Sequence, residues 1–414
     1  MKKRRKSLTI ENLVIVFLIV LGSISLSQGV SSYRNGEEGV NYISGYQASP
    51  GIKSYPLLRT KKVKNVILCI GDGMGLGQVV LARMKAAGLY GKLYMERMPV
   101  TGIVRTHSAD SLVTDSAAAG TALAAGVKTM NGMLSMGPDG KKYQTVLELA
   151  KKKGMRTGLV ATSSITHATP AAFGSHVKSR GMQDKIAEHL LANKINVLLG
   201  GGRGYFLPKS NTDSARTDER NLISEAETAG YSYIQTAEEL RSAQGPYLLG
   251  LFQVGPLVTE SPEPTLGELM KKAIEVLNDR KRGLFGKSKG FFLMVEGSQI
   301  DWACHDNNAD NTVKELLCFD EAIECALEFA LRDKHTLVVV VADHETGGLT
   351  VKGGNLECSE LDIDWATTGH TGLPVPIYAF GPRADIFSGV YDNTEVAKKL
   401  AQLLGTKRFP RTIK

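Results

Sequence analysis

Closely spaced cysteine pairs are absent from this 414-residue sequence. Its five cysteines, Cys69, Cys304, Cys318, Cys325 and Cys358, form no CxxC pair, so neither a thiolate zinc site nor a dithiol redox motif is indicated. Five is odd, which leaves at least one thiol unpaired. Cys318 and Cys325 lie seven apart on an expected helix, about 10 Å along its axis, too far to bridge each other. There is no basic run interleaved with aromatics. The formal net charge is +8, but half of it comes from Lys2, Lys3, Arg4, Arg5 and Lys6 against Glu11. The remainder is a mild balance that argues against a dedicated nucleic-acid partner. The apolar stretch Leu13 to Leu21 falls well short of the roughly 20 residues needed to span a bilayer. No internal repeat is visible.

That short stretch is informative in another way. A basic head, an apolar core and small residues after it have the layout of a secretory signal peptide, with a small-x-small site at Ser25-Leu26-Ser27. We therefore expect residues 1–27 to be removed on export, leaving no membrane span, in a periplasmic or secreted protein. No cysteine lies near the cut, which argues against a lipid anchor. Residues 28–60, rich in Gly, Ser and Tyr, read as an arm, and 61–414 as one catalytic domain.

From Asn65 onward, strand-like apolar runs alternate with helical stretches. "NVILCI", "RTGLVATSS", "INVLLGGG", "GFFLMVEGS", "HTLVVVVADHE" and "VPIYAFGP" read as strands. "TVLELAKKKG", "TLGELMKKAIEVLND" and "ELLCFDEAIECALEFALRD" read as helices. Near-continuous apolar strands between helices predict an α/β fold, a three-layer α/β/α sandwich around a large, mostly parallel central sheet. The polar stretch Lys209 to Asp218 reads as an exposed loop.

In open α/β sheets the chemistry gathers at the carboxyl ends of strands. Here those ends carry Asp72, Glu296, Asp343 and His344, with His167 and Thr169 just past "GLVATSS". So many unpaired acids would be costly to bury, so something positive must gather them. Asp301 and His305 are four apart, on one side of a helical turn, and His370 sits among small residues in "TTGHTG". Oxygen and imidazole ligands without thiolate suggest zinc with a harder cation such as magnesium. In "VTDSAAAGTALAAG", Asp115 and Ser116 stand at the start of a packed helix. A serine there presents N–H groups to an anion.

"GDGMG", "VTDSAAAGTALAAG", "HATPAAFGSHVKSR", "VEGSQIDWACH", "VADHETGG" and "GHTG" together resemble, in order, the motif set of the alkaline phosphatases. The resemblance runs over about residues 63 to 405. It implies one zinc held by Asp301, His305 and His370, a second by Asp72, Asp343 and His344, and one magnesium by Asp72, Thr169 and Glu296. It also implies that Arg180, at the end of the helix-like "PAAFGSHVKSR", grips the phosphate. Ser116 would attack phosphorus and form a phosphoserine, activated by zinc because no histidine base follows it in sequence. Asp115 is expected to orient Arg180, with a plain N-cap as the rival role.

Two positions depart from one common pattern of this family. His167 stands where some relatives carry an acid close to magnesium. Trp302 stands where some carry a lysine that reaches the phosphate through water. Only 25 residues separate His344 from His370, where many relatives insert a subdomain near the dimer interface; a homodimer remains the expectation. The substrates implied are small phosphate monoesters of broad range. The rival reading is a phosphodiesterase or another superfamily hydrolase using the same metals.

Overall fold

A computed structural model describes residues 32–34, 54–58, 62–278 and 289–413. The expected signal segment and most of the arm lie outside these residues, as does any test of them. Among the described residues no helix is long and apolar enough to cross a membrane.

The core is a ten-stranded sheet. Its strands, numbered in chain order, are β1 (Asn65–Gly71), β2 (Val100–Arg105), β3 (Arg156–Ser164), β4 (Val197–Gly201), β5 (Ser232–Ile234), β6 (Leu248–Leu251), β7 (Phe291–Gly297), β8 (Thr336–Ala342), β9 (Val375–Phe380) and β10 (Gly389–Asp392). Their order across the sheet is β10-β2-β9-β8-β1-β7-β3-β4-β6-β5. β1, β3, β7 and β8 are buried along almost their whole length. Covered on both faces, they have no reason to alternate apolar and polar residues, and they read as unbroken apolar runs.

β9 alone runs against its neighbours, pairing antiparallel with both β8 and β2. The sequence pattern identifies it as a strand but not its direction, because a buried strand looks the same either way. The reversal matters for the site. It brings the residues before Val375, including His370, to the edge where β8 ends, with Val341 opposite Ile377. β2, β5, β6 and β10 were not predicted. They are short, and Val100–Arg105 alternates buried and exposed positions around a central glycine.

Small residues set the approach of two site helices. Every residue of the helix Ser116–Ala125 is buried. A Cβ on Gly120 would meet the Ala172 methyl at 3.1 Å and the Thr169 Cα at 3.5 Å, so this helix rests directly on the helix Ala168–Gly174. The Ala/Gly run thus places Ser116 and Thr169 on neighbouring backbones. Gly73 does similar work after β1. Its φ of +72° suits glycine, and a Cβ there would lie 2.8 Å from the Asp301 Cα.

One sequence expectation is corrected. The helix Ala168–Gly174 ends at an extended Ser175, so Arg180 lies in the following loop and not at a helix end. Backbone pairing of Leu134 with Val177 outweighs continued helix in that segment. The stretch Lys209 to Asp218 is mostly exposed, but Arg216 within it is buried, bound to Asp218 and Glu188.

Behind the site the short strands Glu345–Thr346 and His370–Thr371 pair antiparallel. Buried Glu345 ties them down. Its Oε1 accepts from Gln78 Nε2 at 2.8 Å and from the Gly348 N–H at 2.8 Å, and its Oε2 accepts from the Thr371 hydroxyl. The Leu349 N–H also donates to Oε1 at 3.3 Å, so removing the carboxylate takes the acceptor from four donors, and unpaired buried donors are costly. Glu345→Ala is expected to lower the unfolding free energy by about 3 kcal/mol, read by denaturant unfolding. A change within experimental error would contradict this role.

Candidate metal and phosphate site

The parallel register of the three central strands sets the first three acids side by side. Ala342 of β8 lies opposite Gly71 of β1, and Ile70 of β1 lies opposite Glu296 of β7. Asp343, Asp72 and Glu296 therefore emerge at adjacent strand ends. Asp301 and His305 follow on one face of the helix Gln299–His305.

Three groups of potential ligand atoms result, each within 4.8 Å of one another: Asp301 with His305 and His370, Asp72 with Asp343 and His344, and Asp72 with His167 and Glu296. Asp72 is common to the last two. His305 Nε2 lies 3.3 Å from Asp301 Oδ2 and 3.2 Å from His370 Nε2. His344 Nε2 lies 3.4 Å from Asp72 Oδ1 and 3.3 Å from Asp343 Oδ2. The Ser116 Oγ lies 3.3 Å from His344 Nε2, so the serine faces this cluster from the helix start.

The other nitrogens of these rings are held from behind. His305 Nδ1 meets the Thr368 carbonyl at 2.6 Å and His370 Nδ1 meets the Thr114 carbonyl at 2.9 Å. A carbonyl can only accept, so both rings keep a proton on Nδ1, and in the neutral ring this leaves an Nε2 lone pair facing inward, the tautomer a metal requires. The Thr346 hydroxyl lies between Asp301 Oδ1 and His344 Nδ1. Ser298 and Ser163 hydroxyls hold Glu296 Oε2 at 2.7 and 3.3 Å. Thr346, Ser298 and the two carbonyls were not singled out in the sequence, where hydroxyls and main chain carry no signal of their own.

What remains unpaired is telling. Both Asp72 oxygens, Asp343 Oδ2, Glu296 Oε1 and Thr169 Oγ1 are buried without a hydrogen-bond partner. Buried polar atoms normally have partners, and acidic oxygens pointing together repel. These donors fit hard cations with oxygen ligands and zinc with mixed oxygen and nitrogen ligands. His167 differs. Its Nδ1 is also buried without a partner, but its Nε2 lies 3.1 Å from Arg180 Nη2, and a guanidinium only donates, so the Nε2 lone pair is already committed and Nδ1 carries the proton. The edge of the His167 ring meets Trp302, centroids 5.9 Å apart.

Asp115 is both an N-cap and an ion-pair partner, so its two proposed roles coexist. Oδ1 accepts from the Ala118 N–H at 2.9 Å, and Oδ2 accepts from Arg180 Nη1 at 3.1 Å.

Comparison with known proteins bears on these motifs as a set. The sequence matches the alkaline phosphatase family over residues 63–360 and 358–406. The chain belongs to that family. It is 38% identical to Alkaline phosphatase 4 of Bacillus subtilis over 83% of this chain and 89% of that protein. The structure of alkaline phosphatase from the Antarctic bacterium TAB5 superposes with a TM-score of 0.75 at 32% identity, covering 84% of this chain and 99% of that one. A histidine-to-aspartate variant of the TAB5 enzyme, solved with magnesium bound in its M3 site, is similar at a TM-score of 0.74 and 33% identity over the same shares. Membership makes this chain a phosphatase with the α/β fold of the alkaline phosphatases.

Charge in the metal-free site dictates a pH response. Burial pushes Glu296 up to about 7, and Asp301 beside His305 draws that histidine up to about 9. Free values are about 4.3 and 6.5. Both groups favour the folded state in their protonated forms, and that stability fades as pH rises through the native values. Burial, followed by the charge of His370, holds His344 down to about 3, so its contribution is lost only as pH falls below its free value. Burial favours the neutral acid at Asp301, but His305 and His370 outweigh it and hold it well below the usual range. Asp301 is therefore ionised in both states throughout. Between about pH 6.5 and 9, the chelated protein should melt at progressively lower temperature, and zinc with magnesium should flatten the slope. A melting temperature that rises over this window would contradict the assignment.

Proposed function

We propose that this phosphatase hydrolyses phosphate monoesters to an alcohol and inorganic phosphate through a phosphoserine at Ser116. The observation that carries the reading is the Ser116 hydroxyl at a helix start, 3.3 Å from His344 Nε2, facing a cluster of unpaired buried acids with Arg180 on its flank. Two zincs would be held by Asp301, His305 and His370 and by Asp72, Asp343 and His344. One magnesium would be held by Asp72, Thr169 and Glu296. The committed lone pair of His167 supports reading it as a neighbour of magnesium and not a ligand. When bound, the cations supply Lewis acidity, favouring the serine alkoxide, neutralising the leaving oxygen and acidifying water.

The chain's own residues do the rest. Ser116 gives up its hydroxyl proton to solvent, Oγ forms a bond to phosphorus as the ester P–O bond breaks in line, and the alkoxide leaves with a proton from solvent. Water then cleaves the phosphoserine, restoring the hydroxyl and releasing phosphate. N–H groups at the start of the helix Ser116–Ala125 face the anion, where the helix dipole favours negative charge. Each terminal nitrogen of Arg180 carries two hydrogens. With one on Asp115 and one on His167, two parallel donors remain for phosphate oxygens. Trp302 adds no charge, so phosphate release should be easier than with lysine at that position.

Nothing in this arrangement selects an alcohol, which supports a broad range of small monoesters. The signal-like N-terminus supports export to the periplasm or medium, with 61–414 as the catalytic domain. Homodimerisation is also proposed, through the family.

Purified protein with zinc and magnesium should hydrolyse p-nitrophenyl phosphate at alkaline pH faster than the bis ester. Ser116→Ala should keep its metals and lose at least about a thousandfold in kcat. Chelation should abolish activity reversibly. Faster bis-ester cleavage would replace this reading with a phosphodiesterase, and a fully active Ser116→Ala would end it.

A further inference from the structure

The turn that carries the nucleophile is held by an exposed residue that the motifs do not include. The side chain of Asn131 lies along the backbone just before Ser116. Its Oδ1 accepts from the Asp115 N–H at 3.1 Å, and its Nδ2 donates to the Val113 carbonyl at 3.1 Å. One amide group thus pairs with a peptide segment much as a neighbouring strand would. The Asn131 main chain is anchored in turn, its N–H donating to Asp110 Oδ1 at 3.0 Å.

The next residue extends the link to the phosphate-binding arginine. The Gly132 N–H donates to Asp115 Oδ2 at 3.0 Å, and the Gly132 carbonyl accepts from the Arg180 N–H at 2.7 Å. Asp115 Oδ2 is also the oxygen that receives Arg180 Nη1. Beyond them, Leu134 and Val177 exchange backbone hydrogen bonds of 3.0 and 3.2 Å. Residues 131–134 therefore form a strap with one end on the nucleophile turn and the other on the Arg180 loop.

We infer that Asn131 is a positioning residue for phosphate recognition, acting through Asp115 to set the direction of the Arg180 fork. The reasoning is geometric. Asp115 commits Oδ1 to the helix cap, so where Oδ2 points depends on its backbone setting, held on its N-terminal side by Asn131, and on the Gly132 N–H next to Asn131. Without the amide the Thr114–Asp115 peptide keeps only the His370 Nδ1 contact to its Thr114 carbonyl, and Oδ2 presents a less fixed acceptor to the guanidinium. A bidentate grip depends on orientation, which small misplacements degrade. No ligand atom of the three metal groups is touched by Asn131.

The inference rests on Arg180 binding the phosphoryl group, and the test separates the two. Asn131→Ala, assayed as the metal-loaded enzyme, should show a phosphate inhibition constant raised about tenfold and kcat/KM lowered by a similar factor. Its kcat should stay within about twofold, with zinc content and melting temperature unchanged. In the Arg180→Ala background the same change should add nothing, because interacting groups are non-additive. Wild-type phosphate inhibition in Asn131→Ala, loss of zinc, or full additivity with Arg180→Ala would each overturn the inference. If Arg180→Ala itself leaves phosphate inhibition unchanged, the role of Arg180 in the proposed function falls first.

Discussion

Four carboxylates, Asp72, Glu296, Asp301 and Asp343, are buried within one small region, and the rest of the site follows from how their mutual repulsion is managed. Burial, followed by the charges of Asp343, Asp301 and Glu296, drives Asp72 well above its usual range. Asp301 escapes because His305 and His370 face it. A fold that kept such a cluster without cations would give up stability at every pH where the acids ionise. The cluster makes physical sense as one half of an ion-binding device.

The scaffold meets this constraint by rigidity. Asp72, Glu296 and Asp343 stand at the ends of strands that are buried and paired on both sides, Asp301 stands on the helix that follows β7, and hydroxyls and carbonyls behind them orient the ligands. Glu345 and Thr346 link the His344 and His370 strands to the Asp301 helix. The phosphate side is built differently. Asp115, Arg180 and His167 sit half-buried on turns and loops, tied by hydrogen bonds to one another and to residues 131–134. Apart from His167, which faces both sets, metal affinity and phosphate affinity should accordingly respond to different substitutions.

The departures at His167 and Trp302 belong to that second half. The two rings meet edge to face, and His167 spends its lone pair on Arg180. An acid at this position would attract the guanidinium and any nearby cation together. The histidine hydrogen-bonds the arginine while its ring also lies within reach of Asp72 and Glu296, and burial followed by the Arg180 charge keeps it neutral by holding it down to about 4. The same substitution thus bears on both ions and phosphate, through one side chain.

Much was legible from residues alone. The strands β1, β3, β7 and β8, the helix carrying Asp301 and His305, and every acid and imidazole of the three groups follow from local pattern, because apolar periodicity and unusual strand-end charges are written in neighbouring positions. Tertiary structure alone decided three matters. The reversal of β9, which delivers His370, depends on strand pairing, and a buried strand reads the same in both directions. The loop position of Arg180 depends on Val177 pairing with Leu134, a distant partner that overrode helical appearance. The parts played by Asn131, Thr346 and the Thr114 and Thr368 carbonyls depend on which backbone each meets, and ordinary polar groups acquire a role only when folding supplies that neighbour.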